Sequence, residues 1–158
     1  MKKISRKVFI AGGAAAAVAA GACLCTKTGR STISGVGNTP SIAHDAYDVV
    51  QKKGITIRLD KVPELARVGG AVKIIDPKID DSLIVARVAE NAYVATSIKC
   101  THRGCEVEYL AEEKCFKCAS LGGSRFKIDG EKISGFAKGP LKAYPVSSEG
   151  NILAIRLL

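Results

Sequence analysis

The chain has 158 residues, of which 47% are hydrophobic and 16 are glycine, with no tryptophan and a formal charge of +9. That length suits one ordinary domain plus a leader, with enough apolar residues to pack a core of ~100 residues. Four positive charges, Lys2, Lys3, Arg6 and Lys7, lie in the leader; what remains is mildly basic and lacks the aromatic-basic array of a nucleic-acid binder, so no nucleic-acid partner is expected.

The basic head runs into an Ala/Gly-rich apolar stretch from Val8 to Cys25, the order of an export signal. Ser5-Arg6-Lys7-Val8-Phe9-Ile10 resembles a twin-arginine address with Lys7 in the second arginine position. An ordinary secretory signal and an uncleaved anchor are the alternatives, since the run approaches the ~20 residues that span a bilayer. Ala20-Gly21-Ala22-Cys23 resembles a lipobox, which makes Cys23 a lipidation candidate; Cys25 has no assigned role. The expected organisation is a leader over 1–25, a flexible tether rich in Ser, Thr, Gly and Asn over 26–47, and one domain over 48–158. The expected location is the extracytoplasmic face of a bacterial membrane, periplasmic or cell-surface.

Beyond the tether come short apolar runs divided by turn residues. Ile55 to Leu59 alternates; Ala71 to Ile75 follows Gly69-Gly70; Ser82 to Val88 precedes Glu90-Asn91; Tyr93 to Thr96 follows. Later runs are Ser124 to Ile128, Lys132-Ile133 after Asp129-Gly130, and Ile152 to Leu157 after Glu149-Gly150-Asn151. Evenly spaced short strands of this kind predict an all-β fold, an antiparallel sandwich or barrel. One helical turn is expected over 62–66, with Pro63 near its start.

Four of the six cysteines crowd between Cys100 and Cys118. The order is Cys100-Thr101-His102-Arg103-Gly104-Cys105, nine further residues, then Cys115-Phe116-Lys117-Cys118. Thiolates with an imidazole in so short a stretch suit a transition metal or an iron–sulfur cluster. In an exported protein the same four cysteines suit two disulfides, and their spacing also permits a structural zinc site.

Cys-Thr-His-x-Gly-Cys over 100–105 resembles the first box of the Rieske family. The likeness extends through Tyr93-Val94-Ala95, Val107-Glu108-Tyr109, Gly123-Ser124-Arg125-Phe126, Gly130, Gly135 and Pro140 to Val146, and covers roughly 55–158. It implies a small antiparallel Rieske-type β-sandwich with a two-loop cluster-binding subdomain and a [2Fe-2S] cluster. In such a centre one iron takes two thiolates and the other two imidazoles. By the resemblance Cys100 and Cys118 match the thiolate ligands, His102 the first imidazole, Cys105 the first disulfide cysteine, and Ser124 the serine that bonds a cluster sulfide. Phe126 stands where high-potential members carry a tyrosine.

The second box departs from the family's Cys-x-Cys-His-Gly-Ser. It reads Cys118-Ala119-Ser120-Leu121-Gly122-Gly123-Ser124, one residue longer and without the second histidine or the second disulfide cysteine; the other histidine of the chain is His44, in the tether. Cys115 and Cys105 are then the candidates for the fourth ligand, or they bond to each other, with Cys100–Cys118 as a further bridge. The expectation is one-electron transfer, as a subunit of a membrane redox complex rather than as a stand-alone enzyme. Its partner would be that complex or a cytochrome-like acceptor, with the N-terminus reaching the membrane. The alternative is a cluster-free, disulfide-stapled module for binding or assembly.

Overall fold

A computed structural model describes residues 35–50 and 53–157. The leader, its lipidation candidate Cys23 and the first part of the tether lie outside the described residues. Among the described residues there are three antiparallel four-stranded sheets, and the all-β expectation holds. The strands are β1 (Tyr47–Val50), β2 (Gly54–Arg58), β3 (Ala71–Ile74), β4 (Leu83–Ala89), β5 (Ala92–Ser97), β6 (Val107–Leu110), β7 (Cys115–Cys118), β8 (Arg125–Lys127), β9 (Lys132–Ser134), β10 (Ala143–Tyr144), β11 (Val146–Glu149) and β12 (Ile152–Arg156).

Two sheets, ordered β1-β2-β12-β11 and β10-β5-β4-β3, form the base. Their alternation is that of strands with one wet face. Ile55 and Ile57 of β2 are buried, as are Leu153 and Ile155 of β12, and the register sets Ile57 opposite Leu153 and Ile55 opposite Ile155. Tyr47 of β1 continues the Ile57 row, and the Ile55 row is apolar across all four strands, from Val49 to Val146. Burying each such side chain contributes roughly 1.5–3 kcal/mol. The turn expected over 62–66 is a 3-10 helix, Pro63–Ala66, which seats Leu65 in this core.

The third sheet, β6-β7-β8-β9, is the smaller subdomain. It is joined to the base through β4, whose run Leu83-Ile84-Val85-Ala86 is buried on both faces. Leu83 and Val85 belong to the base core, whereas Ile84 and Ala86 pack with Ile98, Val107, Phe116, Phe126 and Leu141 in a second core. A continuous apolar run rather than alternation is what a strand covered on both sides requires.

Of the segment read as a tether, residues 35–47 run along the domain. Ser41 forms a parallel bridge with Lys73, and Ile42 N–H donates to Lys73 O at 2.9 Å. Glu106 N–H donates to Gly35 O at 2.8 Å, and Glu106 Oε2 accepts from both Gly37 N at 2.9 Å and Lys73 Nζ at 3.0 Å. The Lys73–Glu106 pair is only 12% and 17% exposed. This strap therefore crosses the seam between base and subdomain, held there by a carboxylate shared between the two.

Candidate metal centre

The first loop, between β5 and β6, closes on itself. Cys100 N–H donates to Cys105 O at 2.7 Å and Gly104 N–H to Cys100 O at 2.9 Å. The return needs a left-handed residue, and Gly104, at φ +72°, provides it. The second loop follows β7. Cys118 N–H donates to Ser124 O at 2.8 Å, Gly123 N–H to Ser120 O at 2.9 Å, and Ala119 N–H to Glu106 O at 2.9 Å, which ties it to the first loop. A third segment, 135–140, flanks both: Ala137 N–H donates to Ser124 Oγ at 3.0 Å, and Thr101 Oγ1 donates to Gly139 O at 2.8 Å.

These loops bring the Cys100 and Cys118 thiols side by side, both buried. Burial pushes the Cys100 thiol above its ordinary range and the neighbouring Cys118 adds to the rise, whereas the His102 amide and the Ser124 hydroxyl, both directed at Cys100, oppose it. A bound cation reverses that balance, because a coordinating thiol is deprotonated outright. Ser120 Oγ lies 3.2 Å from Cys118 Sγ. His102 is partly exposed at the loop tip, its ring 5.9 Å from that of Phe136.

The remaining cysteines stand elsewhere. All four described cysteines are free. In the β6–β7 ladder Val107 lies opposite Cys118 and Leu110 opposite Cys115. Cys105, two residues before Val107, is thus five ladder positions from Cys115, or roughly 17 Å at the rise of a strand. A disulfide needs its Cα atoms within about 7 Å, so the bridge expected between Cys105 and Cys115 is corrected by the register. Cys115 also fails as a fourth ligand. Phe116 and Cys118 share the core face of β7, and Cys115 points the other way, near Glu113 with Sγ to Oε2 at 3.9 Å, and near Arg125. Cys105 turns its Sγ towards the strap, where it would lie 3.0 Å from a Cβ placed on Gly35. The Cys100 and Cys118 thiols face each other unbridged. Among the described residues no three His, Cys, Asp or Glu side chains converge to hold a single metal ion, which leaves the zinc reading without support. His44 lies in the base against Tyr47, its Nδ1 3.2 Å from the phenolic oxygen.

The residues present fit a [2Fe-2S] cluster at three of its four protein positions. Cys100 and Cys118, from two loops and sheltered together, suit the iron held by thiolates; His102 suits the other. Ser124, buried and bonded to the Ala137 N–H, directs its hydroxyl at the Cys100 thiol, whereas the resemblance assigns that serine to a cluster sulfide. Phe136, Thr101 and Ala137 were not legible as site residues. Phe136 is an exposed aromatic in a loop, Ala137 acts through its main-chain N–H, and the Thr101 hydroxyl finds its partner Gly139 far along the chain.

Comparison with known proteins agrees. Residues 59–145 match the family described as Rieske [2Fe-2S] domain. The cytochrome b6-f complex iron-sulfur subunit of Chlorobaculum thiosulfatiphilum is 31% identical over 129 residues, covering 78% of this chain and 70% of that protein. Among solved structures, the ferredoxin of carbazole 1,9a-dioxygenase from Nocardioides aromaticivorans is similar with a TM-score of 0.53 and 20% identity, over 65% of this chain and 95% of its own. A plasma membrane Rieske protein from Synechocystis is similar at 0.48 and 25% identity, over 55% and 86%. The chain belongs to the Rieske [2Fe-2S] domain family, electron-transfer proteins whose cofactor is that cluster.

Proposed function

We propose that this protein is an exported one-electron carrier that serves a membrane-bound redox complex or a cytochrome-like acceptor, with its N-terminus at the membrane. The observation that carries this reading is the pair of buried, adjacent thiols of Cys100 and Cys118, with the Ser124 hydroxyl and the His102 amide directed at Cys100. The basic, apolar leader supports export, and the relative named for a cytochrome complex supports the choice of partner.

The cluster, when bound, accepts and returns one electron. Cys100 and Cys118 hold it at the thiolate iron and His102 at the other. The second core, formed by Phe116, Phe126, Val107 and Leu141, shields the thiolate side from water and lowers the local dielectric, so each hydrogen bond to sulfur counts for more. His102 and Phe136 form the exposed edge, through which a partner approaches. Phe126 brings no hydroxyl to the site, so the potential lies below that of members with a tyrosine there. Contact with a quinol by two imidazoles is not available to this chain.

The second reading, a cluster-free binding or assembly module, is favoured by Leu121, which stands at the place of the second imidazole in the family's box. One experiment separates the two. The full chain is expressed for export, its iron and labile sulfide are measured, and the reduced sample is examined by electron paramagnetic resonance. Two irons and two sulfides per chain, lost in His102→Ala, support the carrier; a colourless protein supports the module.

A further inference from the structure

The β1-β2-β12-β11 sheet carries an open groove of about 560 Å³, and none of the residues that line it belongs to the cluster loops. The register explains its shape. Gly54 stands between Val50 of β1 and Arg156 of β12, and in the next row Thr56 stands beside Ala154, which faces Ser147 of β11. These residues alternate with the buried Ile55 and Ile155, so they lie on the face turned away from the core. Glycine, alanine and serine fill little of that face, and a furrow is left between Val50 and Pro145. A Cβ on Gly54 would stand 3.1 Å from Ile155 O, so the floor at this point is main chain.

The charge of the groove is one-sided. Among the described residues it is lined by two cations, Lys53 and Arg156, and by no carboxylate. The two are one register step apart, since Arg156 pairs with Gly54 and Lys53 O accepts the Leu157 N–H. Asp48, on the same face, is drawn to Arg58 at 3.8 Å, and Glu149 lies at the far end of β11, opposite Ile152. Like charges on neighbouring strands repel, and an anion shared between them removes that penalty.

We propose that this groove binds a small carboxylate with an apolar body, its charged end held by Arg156 and Lys53 and its body laid over Gly54 and Ala154. The guanidinium fork of Arg156 matches the two oxygens of a carboxylate, and Lys53 adds a second charge. Val50, which is 50% exposed, and Pro145 supply the apolar walls, and Thr56 and Ser147 offer hydroxyls along the floor. The volume is that of a small-molecule site, for which ~300–1,000 Å³ is usual. Binding is simple association and does not depend on the cluster.

The test uses the full chain in phosphatidylcholine nanodiscs, with main-chain amide shifts of Gly54, Thr56 and Ala154 followed by nuclear magnetic resonance. Benzoate is the probe. It should move these amides saturably, and Lys53→Gln and Arg156→Gln should each need about tenfold more of it. Both side chains are exposed, so the variants should fold, and unchanged shifts elsewhere in the spectrum verify this. Acetate, which lacks the apolar body, and benzyl alcohol, which lacks the charge, should each be at least tenfold weaker than benzoate. No saturable movement with benzoate overturns the proposal. So does an equal response to benzyl alcohol, which marks an apolar patch, or to acetate or inorganic phosphate, which marks an unselective pair of cations. If phosphatidylglycerol added to the disc moves the same amides and benzoate does not, the occupant is a lipid headgroup and the proposal fails.

Discussion

Ser124 Oγ accepts the main-chain N–H of Ala137 at 3.0 Å, across thirteen residues of chain, and this bond aims the serine's own proton at Cys100. A hydrogen bond to a ligand sulfur stabilises the extra negative charge of the reduced cluster and so raises its potential. Ser124→Ala removes that bond and leaves a buried amide unpaired. The expected result is a lower reduction potential by protein-film voltammetry, with iron content retained, and a loss of about 1–3 kcal/mol in urea unfolding.

The same contact makes Gly135 irreplaceable. Its φ is +88°, and a Cβ there would stand 2.5 Å from Ser124 Cα and 2.7 Å from Ser124 Oγ. Both neighbours are fixed, one as backbone and the other by its bond to Ala137. Gly135→Ala should cost about 2 kcal/mol or more through strain and clash together, and it should lower the potential as Ser124→Ala does. Gly139, with no heavy atom near its added Cβ, is the control and should tolerate alanine with little change in either readout.

The two cysteines of β7 should behave differently although they are three residues apart. Cys118→Ser should lose most of the bound iron. Cys115→Ser, on the far side of the strand, should keep full iron and sulfide and cost about 1 kcal/mol, a common price for a buried change. Iron and sulfide assays on the two purified variants check this. Iron loss from Cys115→Ser would restore it as a ligand.

The strap over 35–42 depends on a shared carboxylate. Glu106→Gln weakens the ion pair with Lys73 and the bond from Gly37 N–H together. The pair is mostly rather than wholly buried, so its loss should fall below the ~3–5 kcal/mol of a fully buried pair. Amide exchange at Gly37 should quicken. If exchange there matches the wild type, the strap is held by its backbone bonds to Lys73 and Glu106.

Two phenols set an alkaline limit to stability. Burial and the bond to Asp76, at 2.8 Å, push Tyr47 up to about 12. Burial and Asp81, at 2.9 Å, raise Tyr144 still further. An unfolded tyrosine titrates near ~10, so the folded state favours the protonated phenol. This contribution is fully present below about pH 10 and is lost as pH rises through the folded values. Unfolding free energy should therefore decline from about pH 10 to pH 12, and the decline should flatten in a Tyr47→Phe, Tyr144→Phe double variant.

Much of this protein was legible in its residues alone. The alternation of Ile55 and Ile57, the turn glycines, the 3-10 turn at Pro63 and the first box of 100–105 each state a local rule, and local rules survive folding. Cys100, His102, Cys118 and Ser124 could be singled out because residue type and order suffice to match a known box. Other features depend on distance across the sheets. Only the register of β6 against β7 separates Cys105 from Cys115, because a one-residue step in pairing decides which side chains meet. Only the return of 135–140 over the second loop sets Ala137 on Ser124 and Phe136 on His102. Likewise Ser120 and Gly37 gain their roles from partners that are distant in sequence or chosen by a turn. Resemblance to a known box named the candidate donors; the pairing of strands determined which of the cysteines lie together.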